Sequence, residues 1–281
     1  MRRPPPAPLA DPDVPAGMSL ELLQDLHLLT RDGHLNADAR RKLKQIRHLV
    51  GLLRPALDDV YRQAEDPVIV DCGAGKSYLG FLLSALVVGP AGRGTIHAVE
   101  SRAELVSAAA ARAKRFGHDR LRFIGGAILG AELPERIHAL SALHACDTAT
   151  DDALALGIAR GAEVIAVVPC CQAEVARQLA RPSDRDHADQ ALIQQPLHRR
   201  EMGSHLTNVV RGLCLEACGY KVTVTEVVGW EHALKNELLM ARRAFRPERR
   251  INETLASLLA RWRIEPTLVR SLRAAGLDPC A

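Results

Sequence analysis

Aromatic residues are scarce in this chain of 281 residues, where phenylalanine, tyrosine and tryptophan together make up 3%. A core of normal density must therefore be built from aliphatic side chains, and hydrophobic residues as a whole reach 47%. The shortage argues against a surface on which nucleic-acid bases stack, because such a surface needs several exposed rings. No apolar run approaches the roughly 20 residues that a membrane-spanning helix requires, and we expect no membrane association.

Lysine is also rare, with 6 lysines against 31 arginines. The formal net charge is nevertheless +4 and the isoelectric point about 8.8. A basic chain is compatible with a nucleic-acid partner. An arginine-rich, alanine-rich composition also follows from GC-rich coding, so the charge alone selects no partner.

The sequence lacks a Cys-x-x-Cys pair, and its cysteines are odd in number. We expect buried thiols in a reducing compartment rather than a disulfide framework. Met1-Arg2-Arg3 runs directly into prolines without the apolar stretch of a signal peptide. These features predict a cytoplasmic protein. The seven cysteines are Cys72, Cys146, Cys170, Cys171, Cys214, Cys218 and Cys280.

Composition and periodicity divide the chain into four segments. A Pro- and Ala-rich N-terminus is predicted to be disordered, and a helical extension, a central α/β domain and a basic helical tail follow it. Ser19 is the expected N-cap of the first helix. A polar stretch within the α/β domain, residues 181–203, is predicted to form a mobile loop or lid. The four segments are residues 1–17, 18–64, 65–245 and 246–281.

Short β-rich runs alternate with helical segments after residue 65, which is typical of a parallel, doubly wound α/β sheet. Two further runs, 221–228 and 237–242, resemble a closing antiparallel pair, for seven strands in all. The five predicted parallel strands are residues 67–71, 94–100, 121–124, 139–143 and 164–168.

The first predicted strand ends in Asp71 and turns through Gly73-Ala74-Gly75 into a helix. Glycines let a ligand approach the backbone closely, and a helix N-terminus presents unpaired N–H groups. The second strand ends in Glu100, and a carboxylate there can accept both hydroxyls of a ribose. The combination predicts a site for a nucleoside-containing cofactor.

Three other interpretations of this loop are weaker. A dehydrogenase fingerprint needs a third glycine where Tyr78 stands, and a phosphate-binding P-loop needs glycine where Val70 stands. A tight strand–helix turn without a ligand would leave the position of Glu100 unexplained.

Residues 71–79, Asp-Cys-Gly-Ala-Gly-Lys-Ser-Tyr-Leu, resemble motif I of the class I S-adenosylmethionine-dependent methyltransferases, D-x-G-A-G-[KR]-[GS]-x-L. Residues 143–151 resemble an L-H-x-C-G-x-x-x-D stretch, residues 167–172 a P-C-C segment, and residues 230–238 an E-x-T-x-K-N-x-L segment. Together they are similar to a methyltransferase-like group related to the tRNA acceptor-stem 2′-O-methyltransferases. The resemblance spans roughly residues 40–243.

The chain departs from that pattern at three positions, where Asp147 replaces glycine, Gln172 replaces histidine and Ala233 replaces threonine. These departures bear on the substrate more than on the fold. The resemblance implies a Rossmann-like, seven-stranded methyltransferase sheet that binds S-adenosylmethionine within residues 65–245.

The resemblance also assigns cofactor-binding residues. The loop Asp71, Gly73, Ala74 and Gly75 would hold the methionine moiety, and Glu100 would bind the ribose. Residues after the third strand would flank the adenine, and two after the fourth strand would lie nearest the transferred methyl group. Those residues are Ala127 and Ile128 for the adenine, and His144 and Asp147 for the methyl group.

The predicted catalytic residues are His144, Asp147, Cys170 and Cys171, at the ends of the fourth and fifth strands. His144 is either a general base, since histidine titrates near neutrality, or a core histidine. The cysteine pair either packs beneath the cofactor or shapes the substrate pocket. A metal site is the remaining alternative, but the spacing matches no standard zinc pattern and we predict no metal.

RNA, either tRNA or rRNA, is the first choice of substrate, with a small molecule or a protein as competitors. The alternative function is an inactive methyltransferase-like scaffold or RNA-binding protein. Nothing in the sequence indicates the oligomeric state. Two groups of basic residues are interpreted as solvated surface, and for the second group a phosphate track is the alternative. The first comprises Arg40, Arg41, Lys42, Lys44 and Arg47, and the second Arg199, Arg200, Arg242, Arg243, Arg246, Arg249 and Arg250.

Overall fold

The computed structural model describes residues 18–30, 34–35, 37–143, 145–169, 172–182, 184–227, 237–244 and 249–281. The predicted disorder of residues 1–17 and the motif at residues 230–236 lie outside these ranges. The strands are β1 (Val68–Cys72), β2 (Thr95–Glu100), β3 (Leu121–Gly125), β4 (Ala139–Ala142), β5 (Val164–Val167), β6 (Tyr220–Glu226) and β7 (Glu237–Arg243).

These strands form one seven-stranded sheet in the order β3-β2-β1-β4-β5-β7-β6. The first five are parallel, and β7 runs antiparallel to both β5 and β6. The chain leaves β1 toward β2 on one side and later returns to place β4 on the other. Such a point, where the strand order reverses, is where open α/β sheets bind ligands at their carboxyl ends. The predicted doubly wound, Rossmann-like fold is confirmed.

Helices cover both faces of the sheet. A π-helical stretch, Ser84–Val88, joins the third and fourth helices. The helices are α1 (Leu20–Asp25), α2 (Ala37–Gln63), α3 (Tyr78–Leu83), α4 (Gly89–Ala91), α5 (Ala103–Arg115), α6 (Thr148–Ala159), α7 (Glu174–Leu179), α8 (His187–Ile193), α9 (Pro196–Ala217), α10 (Arg249–Trp262) and α11 (Thr267–Ala274).

One face is covered by α1, α2, α3 and α5, whose aliphatic side chains form a continuous core with the sheet. Leu22 and Leu43 are fully buried in it, and Phe81 is one of its few aromatic members. Ser19 caps α1 as predicted, because its hydroxyl accepts a hydrogen bond from the Leu22 N–H at 3.3 Å. The N-terminal helical extension is therefore part of the main core.

The opposite face is covered by α6 and α9, with the helices of the tail packed on them. Leu255 of α10 and Leu268 of α11 are fully buried there. The tail is thus helical, as predicted, and adds to the second core. In the part of the chain that the structure describes, no helix is both long and apolar enough to cross a membrane.

The predicted lid over residues 181–203 is wrong, because this stretch holds α8 and the first turns of α9. Asp186 caps α8 by accepting a hydrogen bond from the Ala188 N–H at 2.8 Å, and Pro196 occupies the first turn of α9. Gly203 lets α9 lie directly on α7, since a Cβ there would come within 2.7 Å of the Ala176 backbone. The polar composition reflects solvent-facing helix surfaces.

Candidate active site

The loop after β1 lies at the carboxyl edge of the sheet and depends on two glycines. Gly73 and Gly75 have φ of +65° and +58°, in the left-handed region that other residues rarely adopt. A Cβ at Gly73 would lie 3.4 Å from the Ala145 Cα, so the loop packs tightly against the segment after β4. The Ala74 N–H donates to the Val99 carbonyl at 3.0 Å, which ties the loop to β2.

Glu100, at the end of β2, faces this loop with its side chain almost fully buried. Its Oε2 accepts a hydrogen bond from the Gly75 N–H at 2.8 Å. The Arg102 guanidinium, together with the backbone N–H groups of Arg102 and Gly75, outweighs the effect of burial and lowers the pKa of Glu100 to about 2. The carboxylate is therefore ionised under all physiological conditions and can accept hydroxyl hydrogen bonds.

Arg102 holds the same carboxylate in a forked contact. Its Nε lies 2.8 Å from Glu100 Oε1, and its Nη2 lies 3.2 Å from Oε2. The Arg102 side chain is 60% exposed, so it is free to swing away at small cost. A ligand whose hydroxyls bind Glu100 must displace this guanidinium. No local motif pointed to Arg102, although it stands only two residues after the predicted ribose ligand.

Asp71 lies beneath the loop and is 2% exposed. Its Oδ1 accepts a hydrogen bond from the Ser141 hydroxyl of β4 at 3.1 Å. Burial dominates and raises the pKa of Asp71 to about 7, while the Ser141 hydrogen bond acts in the opposite direction. Burial also raises the pKa of the neighbouring Cys72 thiol, which is consistent with the predicted inert, buried cysteine.

A cavity of about 150 Å³ separates these groups, and we call it the cofactor cleft. Ligand pockets are commonly about 300–1,000 Å³, so the cleft holds only part of a nucleoside-containing ligand while Arg102 forms one wall. Its lining includes Asp71, Gly73, Gly75, Leu79, Arg102 and Leu143.

The predicted adenine-flanking residues differ in their surroundings. Ala127 is exposed, whereas Ile128 is 8% exposed and packs into the core of the second face. The next residue, Leu129, is 56% exposed and presents an apolar side chain beside them. The Gly126 N–H donates to the Glu100 carbonyl at 3.1 Å, which keeps this segment next to the predicted ribose ligand.

Asp147, predicted to lie near the transferred methyl group, binds the start of α7. Its Oδ1 accepts hydrogen bonds from the Ala173 and Glu174 N–H groups at 2.9 and 3.2 Å, and its Oδ2 lies 3.0 Å from Arg177 Nη2. Burial acts to raise the pKa of Asp147, but these donors outweigh it and lower the pKa. The carboxylate thus joins the loop after β4 to the helix after β5. A direct role in methyl transfer stays a prediction.

A buried ion pair lies behind this loop. Arg211 of α9 and Asp151 of α6 are each 1% exposed. Arg211 Nε lies 2.8 Å from Asp151 Oδ1, and Nη2 lies 3.0 Å from Oδ2. Arg211 Nη2 also donates to the Asp147 carbonyl at 2.9 Å. The guanidinium therefore holds the same loop from the other side.

The network continues along the carboxyl edge through amide side chains. Asn208 Oδ1 accepts from Gln172 Nε2 at 3.1 Å, and Asn208 Nδ2 donates to Glu237 Oε2 at 2.7 Å. The Ser204 hydroxyl donates to Gln172 Oε1 at 2.9 Å. These contacts join Gln172, which follows β5, to α9 and to Glu237 at the start of β7. They join residues far apart in the chain, so no sequence spacing revealed them.

Three predicted catalytic residues, His144, Cys170 and Cys171, lie outside the described residues, and their roles stay predictions. Among the residues whose positions the structure gives, no group of three histidine, cysteine, aspartate or glutamate side chains is arranged to hold a metal ion.

The second group of basic residues does not form one phosphate track. Arg242 pairs with Val164 at the start of β5, which places it at the amino edge of the sheet. Arg199 and Arg200 lie at the start of α9, a helix of 22 residues and roughly 33 Å that ends at this amino edge before β6. The two parts of the group therefore lie at opposite edges.

Comparison with known proteins is consistent with this geometry. Residues 41–178 match the model of a family described as a methyltransferase domain. No curated protein matches the sequence.

Solved structures with a similar arrangement share little sequence with this chain. One is a SAM-dependent methyltransferase from Aquifex aeolicus, with 15% identity, coverage of 78% of this chain and 96% of that chain, and a TM-score of 0.43. Another is an rRNA methylase from Streptococcus thermophilus, with 13% identity, coverage of 64% and 88%, and a TM-score of 0.41. A third is magnesium protoporphyrin IX methyltransferase from Synechocystis PCC 6803 with bound SAH, with 11% identity, coverage of 79% and 94%, and a TM-score of 0.45.

The strand order, the glycine loop facing an acid at the end of β2, and the family match over residues 41–178 agree with one another. Residues 41–178 of this chain are therefore similar to a methyltransferase domain and lie in a Rossmann-like sheet.

Proposed function

We propose that this chain binds S-adenosylmethionine in the cofactor cleft and transfers its methyl group to RNA, either tRNA or rRNA, in the cytoplasm. The observation that carries the cofactor part is the contact between the Gly75 N–H and Glu100 Oε2 at 2.8 Å, with Asp71 buried beneath the same loop. This arrangement sets Asp71 on the wall of the cleft and Glu100 directly behind Gly75 and Arg102, which also line it.

The residues present fit the chemical groups of this cofactor. A Cβ at Gly75 would meet only Arg102 Nη2, at 3.9 Å, so the backbone is open toward the cleft there, and Glu100 is an ionised acceptor for the ribose hydroxyls. Asp71 offers a negative charge, once deprotonated, to the ammonium of the methionine moiety. Leu129 supplies an exposed apolar surface in the segment expected to flank the adenine.

When bound, the cofactor supplies an electrophilic methyl group, and transfer by in-line displacement needs mainly correct positioning of the acceptor. The hydrogen-bonded network of Arg211, Asp151, Asn208 and Gln172 holds the ends of β4 and β5 in place for that purpose. His144, predicted as either a general base or a core histidine, would in the first of these roles take the proton that the acceptor loses.

The RNA part of the proposal rests on the resemblance of residues 71–79, 143–151 and 167–172 to the tRNA acceptor-stem methyltransferases. Incorporation of labelled methyl groups into purified tRNA and rRNA tests it. Labelling of a small molecule or a protein, with none in RNA, would remove RNA from the proposal and leave the methyltransferase assignment in place.

Calorimetric titration with S-adenosylmethionine and S-adenosylhomocysteine tests the cofactor. We expect Glu100→Ala to weaken binding by about tenfold or more, because it removes a charged acceptor of two ribose hydrogen bonds. The matched control is Glu104→Ala, since Glu104 is an exposed carboxylate on the next helix. Absence of binding by the unaltered protein, or equal binding by both variants, would contradict the proposal. Binding of NADH instead would favour a dehydrogenase.

Arg102→Gln is expected to tighten cofactor binding by up to about fivefold, because the ribose no longer competes with the guanidinium for Glu100. Arg122→Gln, which removes an exposed arginine elsewhere on the sheet, serves as the control. Weaker binding by Arg102→Gln would mean that the arginine contacts the ligand and does not compete with it. Titration at low and moderate salt measures the difference.

A further inference from the structure

We propose that the N-terminal half of α2 is a binding surface for the phosphodiester backbone of the RNA substrate. We call residues 40–47 of α2, with their five basic side chains, the basic segment. The inference rests on the proposed function, because it gives the methyltransferase a place to hold a polyanion beside its cleft.

Contacts between α2 and the chain after α3 show how the basic segment is placed relative to the carboxyl edge of the sheet. Arg54 Nη1 donates to the Leu86 carbonyl at 3.1 Å, and the Tyr61 hydroxyl donates to the Arg93 carbonyl at 3.3 Å, both across 32 residues. The two segments therefore run side by side in the same direction, from the carboxyl edge to the amino edge. The same offset of 32 residues places Ile46 beside Tyr78, where the loop after β1 ends.

The basic segment consequently stands at or beyond the carboxyl edge. Arg41 lies five residues before Ile46, which corresponds to roughly 7 Å above the level of Tyr78. The same helix contacts β5, the strand that is followed by the predicted catalytic residues Cys170 and Cys171.

The exposed cations of this surface include Arg41 and Lys44. Leu43 and Ile46 point into the core, while Arg41, Lys44 and Arg47 are exposed on the opposite side. The chain contains no aspartate or glutamate at residues 39–57 and none at residues 72–99. The second of these stretches adds the exposed Lys76 in the cofactor loop.

This chemistry favours a nucleic-acid backbone over other partners. A row of arginine and lysine without interleaved acids binds regularly spaced phosphates and releases their counterions. Shape or phosphate recognition needs no stacked bases, in agreement with the scarcity of aromatic residues. An acidic protein would also be attracted, and the experiment distinguishes it.

The test compares Arg41→Gln/Lys44→Gln with Arg122→Gln/Lys221→Gln, which removes the same charge from exposed residues at the amino edge. Binding of a fluorescein-labelled hairpin RNA is measured by anisotropy between about 50 and 200 mM salt. We expect the α2 variant to bind about tenfold more weakly and to lose roughly 1.4 to 1.8 from the salt slope, as for two phosphate contacts. The control should match the unaltered protein.

Equal weakening by both double variants, or none by either, would overturn the inference. Tighter binding of a labelled polyglutamate peptide than of the hairpin, with the same dependence on α2, would overturn it in favour of an acidic protein. The single substitutions, each expected to give a smaller loss, repeat the test with less change to the helix. Calorimetry with S-adenosylmethionine is run on every variant, so failure of the cofactor proposal is seen separately from failure at α2.

Discussion

Replacing Arg211 by alanine is expected to lower the free energy of unfolding by about 3 to 5 kcal/mol. The substitution leaves Asp151 1% exposed and without its guanidinium partner, whose hydrogen bonds and charge oppose the rise in the Asp151 pKa that burial causes. It also removes the donors to the Asp147 carbonyl and to Asn208 Oδ1, at 2.9 and 3.3 Å. Urea denaturation followed by circular dichroism measures the change.

Two companion variants make this result interpretable. Arg200→Ala breaks an exposed pair with Glu201, at 2.9 Å, and is expected to cost about 0 to 1 kcal/mol. Asp151→Leu/Arg211→Met removes both buried charges together and is expected to recover most of the lost stability, because no uncompensated charge remains. A cost for Arg211→Ala no larger than that of Arg200→Ala would show that the buried pair is not a stabilising element.

Asp71→Asn is expected to abolish cofactor binding and, at the same time, to stabilise the protein at alkaline pH. The pKa of Asp71 is about 7 in the fold, against 3.8 as its ordinary value. The folded state therefore retains a proton that the unfolded chain releases, and the carboxylate destabilises the fold increasingly from about pH 4 to pH 7. Above pH 7 the full effect, on the order of 2 to 4 kcal/mol, is removed by asparagine.

Thermal and urea unfolding at pH 5 and pH 8 check the sign, with Asp119→Asn as an exposed control. The stabilisation by Asp71→Asn should be small at pH 5 and large at pH 8, while the control should show no such difference. Titration with S-adenosylmethionine runs in parallel, and affinity for the unaltered protein should rise as Asp71 loses its proton. A variant that is less stable at pH 8, or that binds the cofactor normally, would contradict this account.

The sheet and the loop after β1 were predictable because the sequence patterns that indicate them are local. β1 begins with three β-branched residues, and its predicted bounds, 67–71, each lie one residue before the observed bounds, Val68–Cys72. The prediction that Gly73, Gly75 and Glu100 face a ligand follows from the rule that parallel strands present their carboxyl ends to a ligand. Hydrophobic periodicity likewise predicts a helix from about Ala37 to Arg62, which agrees with α2 to within one residue at its end.

The prediction of a loop or lid over residues 181–203 was wrong because solvent-facing helices can resemble loops in composition. α8 buries few side chains, Ile193 among them, and the start of α9 is marked mainly by Pro196. The polar contacts of the site could not be predicted from the sequence for another reason. Arg211 and Asp151 are 60 residues apart, and only the packing of α9 on α6 joins them. Arg102 adds a competing contact that a family motif does not encode.

The position of β7 has a consequence for how this chain divides into units. The family match ends at residue 178, inside α7, while the strand that pairs with the far side of β5 comes about 60 residues later. Without β7, the backbone of β5 would be an open edge, and without α9 the carboxylate of Asp151 would have no counter-charge. The part of the chain that sequence similarity recognises is therefore shorter than the part that must fold together. Substitutions far beyond the recognisable motifs can change the methyltransferase site through the interior of the protein.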